Sequence, residues 1–147
     1  MKNQKNKNLI ALDVGERRIG VAVASLVARL PRPWGVILQT EDVFKRIQEL
    51  IAAEHVAGVV VGLPRGMNSQ ETAQTKYVRG FTKSLEANII VPVYWCDEAL
   101  TSKSAEAELR QRKTAYTKGD IDTLAACYIL NDFLLENNDL MPRAAYI

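Results

Sequence analysis

Two cysteines and one histidine in 147 residues leave little material for the commonest metal and redox centres. Cys96 and Cys127 stand in apolar surroundings without a C-x-x-C spacing. Neither a disulfide framework nor a structural zinc site is therefore expected, and both are read as reduced core residues of a cytoplasmic protein. His55 stands alone at the end of a helical pattern, which disfavours a histidine-based catalytic triad. Aromatic residues are scarce, at 7%. Trp34 and Trp95 fall in strand patterns, so they are read as core rather than as base-stacking platforms. The stretch Met1 to Asn8 holds Lys2, Lys5 and Lys7 among Asn and Gln without an apolar run, which excludes a signal peptide or a membrane anchor there. A strong charge of one sign is also missing: the net charge of +2 permits a polyanionic ligand without demanding one.

What is present is an ordinary globular composition, 48% hydrophobic and 24% charged. The length suits one domain, taken as residues 9–138 between a basic tail, 1–8, and a C-terminal tail, 139–147. The chain is organised around Leu9 to Ser25, two short apolar runs joined by Gly15 to Arg18, which reads as a β-hairpin. Beyond a proline-containing loop, Trp34 to Gln39 reads as a third strand. Thr40 opens a helix whose apolar stripe is Val43, Ile47, Leu50, Ile51 and Ala53. Ala57 to Leu63 is uninterruptedly apolar, as befits a strand buried on both faces of a parallel sheet. Asn68 with Glu71 resembles a capping box for a helix to about Leu85. Ile89 to Trp95 reads as a fifth strand, Thr101 to Lys113 as a helix, and Asp120 to Glu136 as a last helix, apolar nearly all round and hence buried. The order βββαβαβαα predicts an α/β fold: a mixed five-stranded sheet, antiparallel hairpin plus parallel strands, with helices on both faces. Function in such sheets gathers at the carboxyl ends of the strands.

Three acids stand at element ends: Asp13 in the first strand, Glu98 just past the fifth, and Asp122 at the start of the last helix. An ionised Asp inside an apolar strand is costly unless a cation neutralises it. Carboxylates converging on one sheet edge suit hard divalent cations, Mg²⁺ or Mn²⁺, and a two-metal site would support phosphodiester hydrolysis. At roughly 100° per residue, Asp122 lines up with Ala126, Ile129 and Phe133, whereas Asp120 falls near the opposite side and is read as the helix cap. Asp97, beside Glu98, and Asp120 stay open as alternative ligands.

At these residues the chain resembles the YqgF/RuvX family, Holliday-junction-resolvase-like proteins described as nucleases that mature the 5′ end of the 16S ribosomal RNA precursor. The resemblance runs from Ile10 to about Leu134. It is carried by Asp13-Val-Gly15 with Arg18-Ile-Gly20, by Val59-Val-Val-Gly-Leu-Pro64, by Asp97-Glu98-Ala-Leu-Thr101, and by Ile121-Asp122-Thr-Leu-Ala-Ala126. It implies a ribonuclease H-like fold, Asp13, Glu98 and Asp122 as metal-binding catalytic acids, and Arg18 near the phosphate path. The chain departs from the pattern at Leu26, where many relatives carry an acid, and at Met67-Asn68-Ser69, where an Asp-Gly or Asn-Gly is usual.

Phosphate contacts are expected from Arg18 and Lys118 first, then Arg65, Lys113 and Arg17, all in or beside the loops that carry the acids. The implied partner is nucleic acid, a structured RNA precursor or branched DNA, handled by a monomer or a homodimer and away from any membrane. Two other readings remain to be weighed. An actin-like or sugar-kinase-like phosphotransferase shares the Asp-x-Gly turn, but one domain of this size cannot close a second wall around ATP. A catalytically silent ribonuclease H-like RNA-binding module would not need the three acids.

Overall fold

The computed structural model describes residues 7–66, 68, 70–98 and 101–138, apart from the side chains of Glu98 and of Thr101 to Lys103. Both proposed tails thus lie almost wholly outside the described residues. Five strands form one sheet in the order β3-β2-β1-β4-β5. They are β1 (Asn8–Val14), β2 (Arg18–Ser25), β3 (Arg32–Leu38), β4 (Val56–Pro64) and β5 (Val93–Glu98). The helices are α1 (Val43–Ala53), α2 (Ala73–Asn88), α3 (Thr101–Gln111) and α4 (Lys118–Glu136). β1, β2 and β3 are antiparallel neighbours, and β1, β4 and β5 run parallel, so the carboxyl ends of Val14, Pro64 and Glu98 share one edge.

The two-residue period of β1 divides the core into its two layers. Ile10, Leu12 and Val14 pack with Val43, Ile47, Val78, Phe81 and Leu85 from α1 and α2. Leu9 and Ala11 pack with Ala126, Ile129, Leu130 and Phe133 of α4. β4 is buried on both faces, as its unbroken apolar run requires, with Val59, Val60 and Val61 all fully buried. α3 lies against α4, burying Ala105 and Leu109.

Element ends differ from the sequence reading, and each difference has a local cause. β3 begins at Arg32 and contains Pro33; it is an edge strand, where the missing N–H has no ladder partner to lose. α2 is capped by Thr72 rather than Asn68: the Thr72 hydroxyl accepts the Thr75 N–H at 3.2 Å, and Thr75 Oγ1 accepts the Thr72 N–H in return. β5 starts at Val93, not Ile89, and continues through Glu98; Ile90 is fully exposed in the turn before it. α4 starts two residues early, with Thr117 as its cap. It is not buried all round, since Leu135 is exposed beside Asn131. Trp34 and Trp95, expected in the core, are 42% and 40% exposed, because β3 and β5 are the two edge strands. Cys96 and Cys127 are buried as expected.

Candidate active site

Asp13 is the penultimate residue of β1, and parity puts it on the α4 face with Leu9 and Ala11. Its antiparallel partner is Gly20. A Cβ on Gly20 would lie 2.1 Å from the Asp122 carbonyl oxygen, so the first turns of α4 rest directly on the β2 backbone where a side chain would stand. Glycine is required here for close approach, and that approach brings Asp122 beside Asp13. Asp122 opens the inward stripe continued by Ala126, Ile129 and Phe133, all buried.

The two carboxyls differ in their partners. The half-buried Asp13 has no hydrogen bond or ion pair to its carboxyl among the described residues. Burial first, and the nearby Asp122 second, push it up to about 7. Asp122 receives a hydrogen bond from Nε of Arg18, which also forms its ion pair. Burial raises Asp122 as well, while the hydrogen bond and charge of Arg18 pull it back.

Glu98 ends β5, opposite Pro64 of β4. By the pleat, position 98 falls on the same face as Cys96, which packs in the α4 layer. Two inter-strand steps separate β5 from β1, roughly 10 Å at about 4.8 Å each. The Glu98 side chain lies outside the described residues. Asp97 takes the opposite parity: it is paired at 3.5 Å with Arg65, which also meets Glu71 at 4.0 Å, just ahead of α2. Asp120 is engaged in the helix cap, where its carboxylate accepts the Thr117 N–H at 2.8 Å. It does so from the third helical position rather than as the cap residue itself.

A cleft of about 520 Å³ opens at this edge, lined by Gly15, Glu16, Arg17, Arg18, Gln74, Lys118 and Asp122. Three of the five expected phosphate-binding cations, Arg17, Arg18 and Lys118, therefore share one cleft. Arg65 lies between its two acids across the sheet. Lys113 lies in the turn after α3, which ends at Gln111 rather than at Lys113, in a left-handed conformation, φ 57°, and does not line the cleft. Three residues with no assigned role shape the site. Gly20 sets the α4 approach, and a glycine inside an apolar strand is the signal for it. Gln39 Nε2 donates to the Gly15 carbonyl at 3.1 Å, and Gln74 Nε2 donates to the Val14 carbonyl at 3.1 Å, bracing the turn from two sides. Nothing in the sequence distinguishes those two from other surface amides.

No group of three His, Cys, Asp or Glu side chains stands at metal-binding distance among the described residues. The donor set still fits a hard cation: oxygen ligands only, one of them a half-buried carboxyl without a counterion. Among the described residues no helix is long and apolar enough to cross a membrane.

Residues 7–136 match the model of the RuvX family, described as Holliday junction resolvase. A relative from Sulfurihydrogenibium sp. named "Putative pre-16S rRNA nuclease" is 35% identical over 128 residues, covering 86% of this chain and 88% of its own. One of the same name from Chloroflexus aurantiacus is 41% identical over 130 residues, covering 86% and 85%. Among solved structures, T. thermophilus RuvC in complex with Holliday junction substrate aligns with TM-score 0.55 over 90% of this chain and 97% of that one, at 16% identity. That likeness speaks for a shared ribonuclease H-like fold. The family match spans nearly every described residue and the relatives align over most of their own length, so this chain belongs to the RuvX family.

Proposed function

We propose that the protein is a metal-dependent nuclease that hydrolyses phosphodiester bonds, acting in 5′-end maturation of the 16S ribosomal RNA precursor. The observation that carries the reading is Asp13: a half-buried carboxyl beside a second acid, with no cation of its own among the described residues. Fold stability alone gives no reason to keep it, because replacing it by an uncharged residue would relieve the desolvation it suffers. A divalent ion would supply what it lacks. Asp13 and Asp122 would hold Mg²⁺ or Mn²⁺, with Glu98 as the third acid. When bound, one or two such ions provide the charge that activates water and stabilises the leaving oxygen.

The chain's own groups do the rest. Arg17, Arg18 and Lys118 line the cleft beside the acids and would seat the phosphates flanking the scissile bond, which fixes register without reading sequence. Gln74 and Gln39 hold the successive carbonyls of Val14 and Gly15 and with them the backbone that follows Asp13. The RNA substrate follows the printed name of the curated relatives. A second reading, cleavage of branched DNA by a homodimer, follows the family description. The test incubates purified protein with Mg²⁺ or Mn²⁺ and precursor RNA, single-stranded RNA or a four-way DNA junction, and measures its oligomeric state in the same buffer. Cleavage of precursor RNA that stops in excess EDTA is expected. Undiminished cleavage in EDTA would sink the metal-dependent reading, and preferential cutting of the junction by a dimer would favour the second.

A further inference from the structure

Asp122 already has a cation. Arg18 opens β2 two residues before Gly20, on the same face of the strand, and its Nε hydrogen bonds to Oδ2 of Asp122. Both side chains are largely shielded, 29% and 19% exposed, so the pair is better protected from solvent screening than the ion pairs of α3, whose side chains are 37% to 69% exposed. The packing of Asp122 on Gly20 sets the α4 acid within the arginine's reach. Arginine cannot shed its proton in a protein, so this pair cannot be dissolved by proton loss from Arg18. A divalent ion held by Asp13 and Asp122 would compete with the guanidinium for the Asp122 carboxylate. The arginine has somewhere to go, since Arg18 lines the same cleft as Arg17 and Lys118.

Building on the nuclease reading, we infer that Arg18 is a resident counter-cation of the metal site, displaced from Asp122 when a divalent ion binds and freed to take a substrate phosphate. The charge count gives the consequence. Asp13, Asp122 and Arg18 sum to −1 with both acids ionised, and a divalent ion brings them to +1 with the arginine released towards the cleft. Metal loading therefore makes the site attractive to a polyanion. Reciprocally, a bound phosphate holding the arginine makes Asp122 available to the metal, so the two ligands reinforce one another. Without nucleic acid the metal binds against the arginine and is held weakly. The arginine thus ties metal occupancy to substrate occupancy.

The experiment titrates Mn²⁺ calorimetrically into nucleic-acid-free wild type, Arg18→Gln and Arg18→Lys. It also measures binding of a fluorescent single-stranded RNA with and without Ca²⁺ for each. Arg18→Gln is expected to bind Mn²⁺ about fivefold tighter or more, and to lose the enhancement of RNA binding that Ca²⁺ gives the wild type. Arg18→Lys, which keeps the charge without the planar fork, is expected between the two. Mn²⁺ affinity equal to or weaker than wild type in a folded Arg18→Gln would overturn the inference, because it would make Arg18 a tether for α4 and nothing more. If Arg18→Gln fails to fold, the same reading falls to Arg18→Lys, and unchanged Mn²⁺ affinity there overturns it. Failure of the nuclease reading looks different: the wild type itself would bind no Mn²⁺, or would bind it unaffected by Asp13→Asn.

Discussion

Two acidic clusters flank the carboxyl edge of the sheet, one on each face, and they handle charge in opposite ways. On the α2 side, Glu71 and Asp97 share two arginines: Arg79 meets Glu71 at 2.9 Å, and Arg65 bridges Glu71 and Asp97. These acids are exposed, and the hydrogen bond from Arg79, with its charge, holds Glu71 below the usual carboxylate range. Arg79 also lies 5.7 Å over the ring of Trp95, so the cluster is a solvated patch that covers an edge-strand aromatic. On the α4 side, the one arginine pairs with Asp122 alone, and Asp13, left without a cation, is pushed up to about 7 by its burial first and by Asp122 second. A carboxylate whose charge is balanced in water tells nothing about function. One that is half-buried, in deficit of a cation and aligned with a second acid does.

The largest expected effect tests that contrast at its centre. If Asp13 is the ligand proposed above, Asp13→Asn is expected to lower metal-dependent cleavage by more than about a hundredfold, beyond the loss that outer-shell changes give. The metal-free fold should respond the other way. Folded Asp13 holds its proton up to about pH 7, whereas the unfolded value is 3.8. Its contribution to stability is thus full below about pH 4 and is lost as the pH rises towards 7. In EDTA, wild-type stability should fall over that window by on the order of 3 kcal/mol relative to Asp13→Asn. Chemical denaturation of both proteins at pH 4 to 8 checks it, and parallel curves would mean that Asp13 is balanced like Asp97.

Gly20→Ala comes next, because the site exists only while α4 rests on β2. The added methyl would stand 2.1 Å from the Asp122 carbonyl oxygen, against helix backbone that cannot swing aside as a side chain would. Overpacking of this kind is expected to cost about 1–3 kcal/mol or more and to impair Mn²⁺ binding at the same time. A melting curve and a calorimetric titration on the same sample check both. A variant with normal Mn²⁺ affinity would show that the two acids do not depend on this contact.

The reach of the sequence follows the same physics. Element types and order are legible because β1, β2 and β4 are short continuous apolar runs and are central in the sheet, so tertiary context agrees with pattern. Asp13 is legible for the reason it matters: a charge in an apolar strand is a local contradiction. The face of Asp122 follows from helical geometry alone. Edges are less legible. Trp34 and Trp95 look like core because period 2 does not say which strands end the sheet. Thr72 and Thr117 were hidden as caps by nearby acids and by Asn68, all acceptable in a first turn. The pairing of Arg65 with Glu71 and Asp97, and of Arg18 with Asp122, joins residues that only the fold brings together.

Asp120 and Asp122 carry the comparison into a single helix turn. Asp120 accepts the Thr117 N–H, and Thr117 Oγ1 accepts the Asp120 N–H at 3.1 Å, a reciprocal box that satisfies two end donors. Asp120→Ala is expected to cost roughly 0.5–2 kcal/mol and to leave metal-dependent cleavage within about twofold of wild type. Thr117→Ala should cost a similar amount. Denaturation and cleavage rates of the two variants check this, and a dead Asp120→Ala with normal stability would put Asp120, not Asp122, on the metal.

The smallest expected effect belongs to Asp97, the immediate neighbour of Glu98 and the residue on which the two faces are told apart. Its side chain is 67% exposed and its partner Arg65 stays engaged with Glu71 when Asp97 is neutralised. A long pair at 3.5 Å whose acid is mostly in solvent contributes little, so Asp97→Asn should change stability by less than about 1 kcal/mol. Cleavage and Mn²⁺ affinity should stay at wild-type values, whereas Glu98→Gln should reduce both. The two substitutions alter adjacent residues of one strand by the same chemical change, so only the face of β5 separates them. If Asp97→Asn loses Mn²⁺ binding while Glu98→Gln keeps it, the third acid comes from the α2 face, and the parity assigned to the end of β5 is wrong.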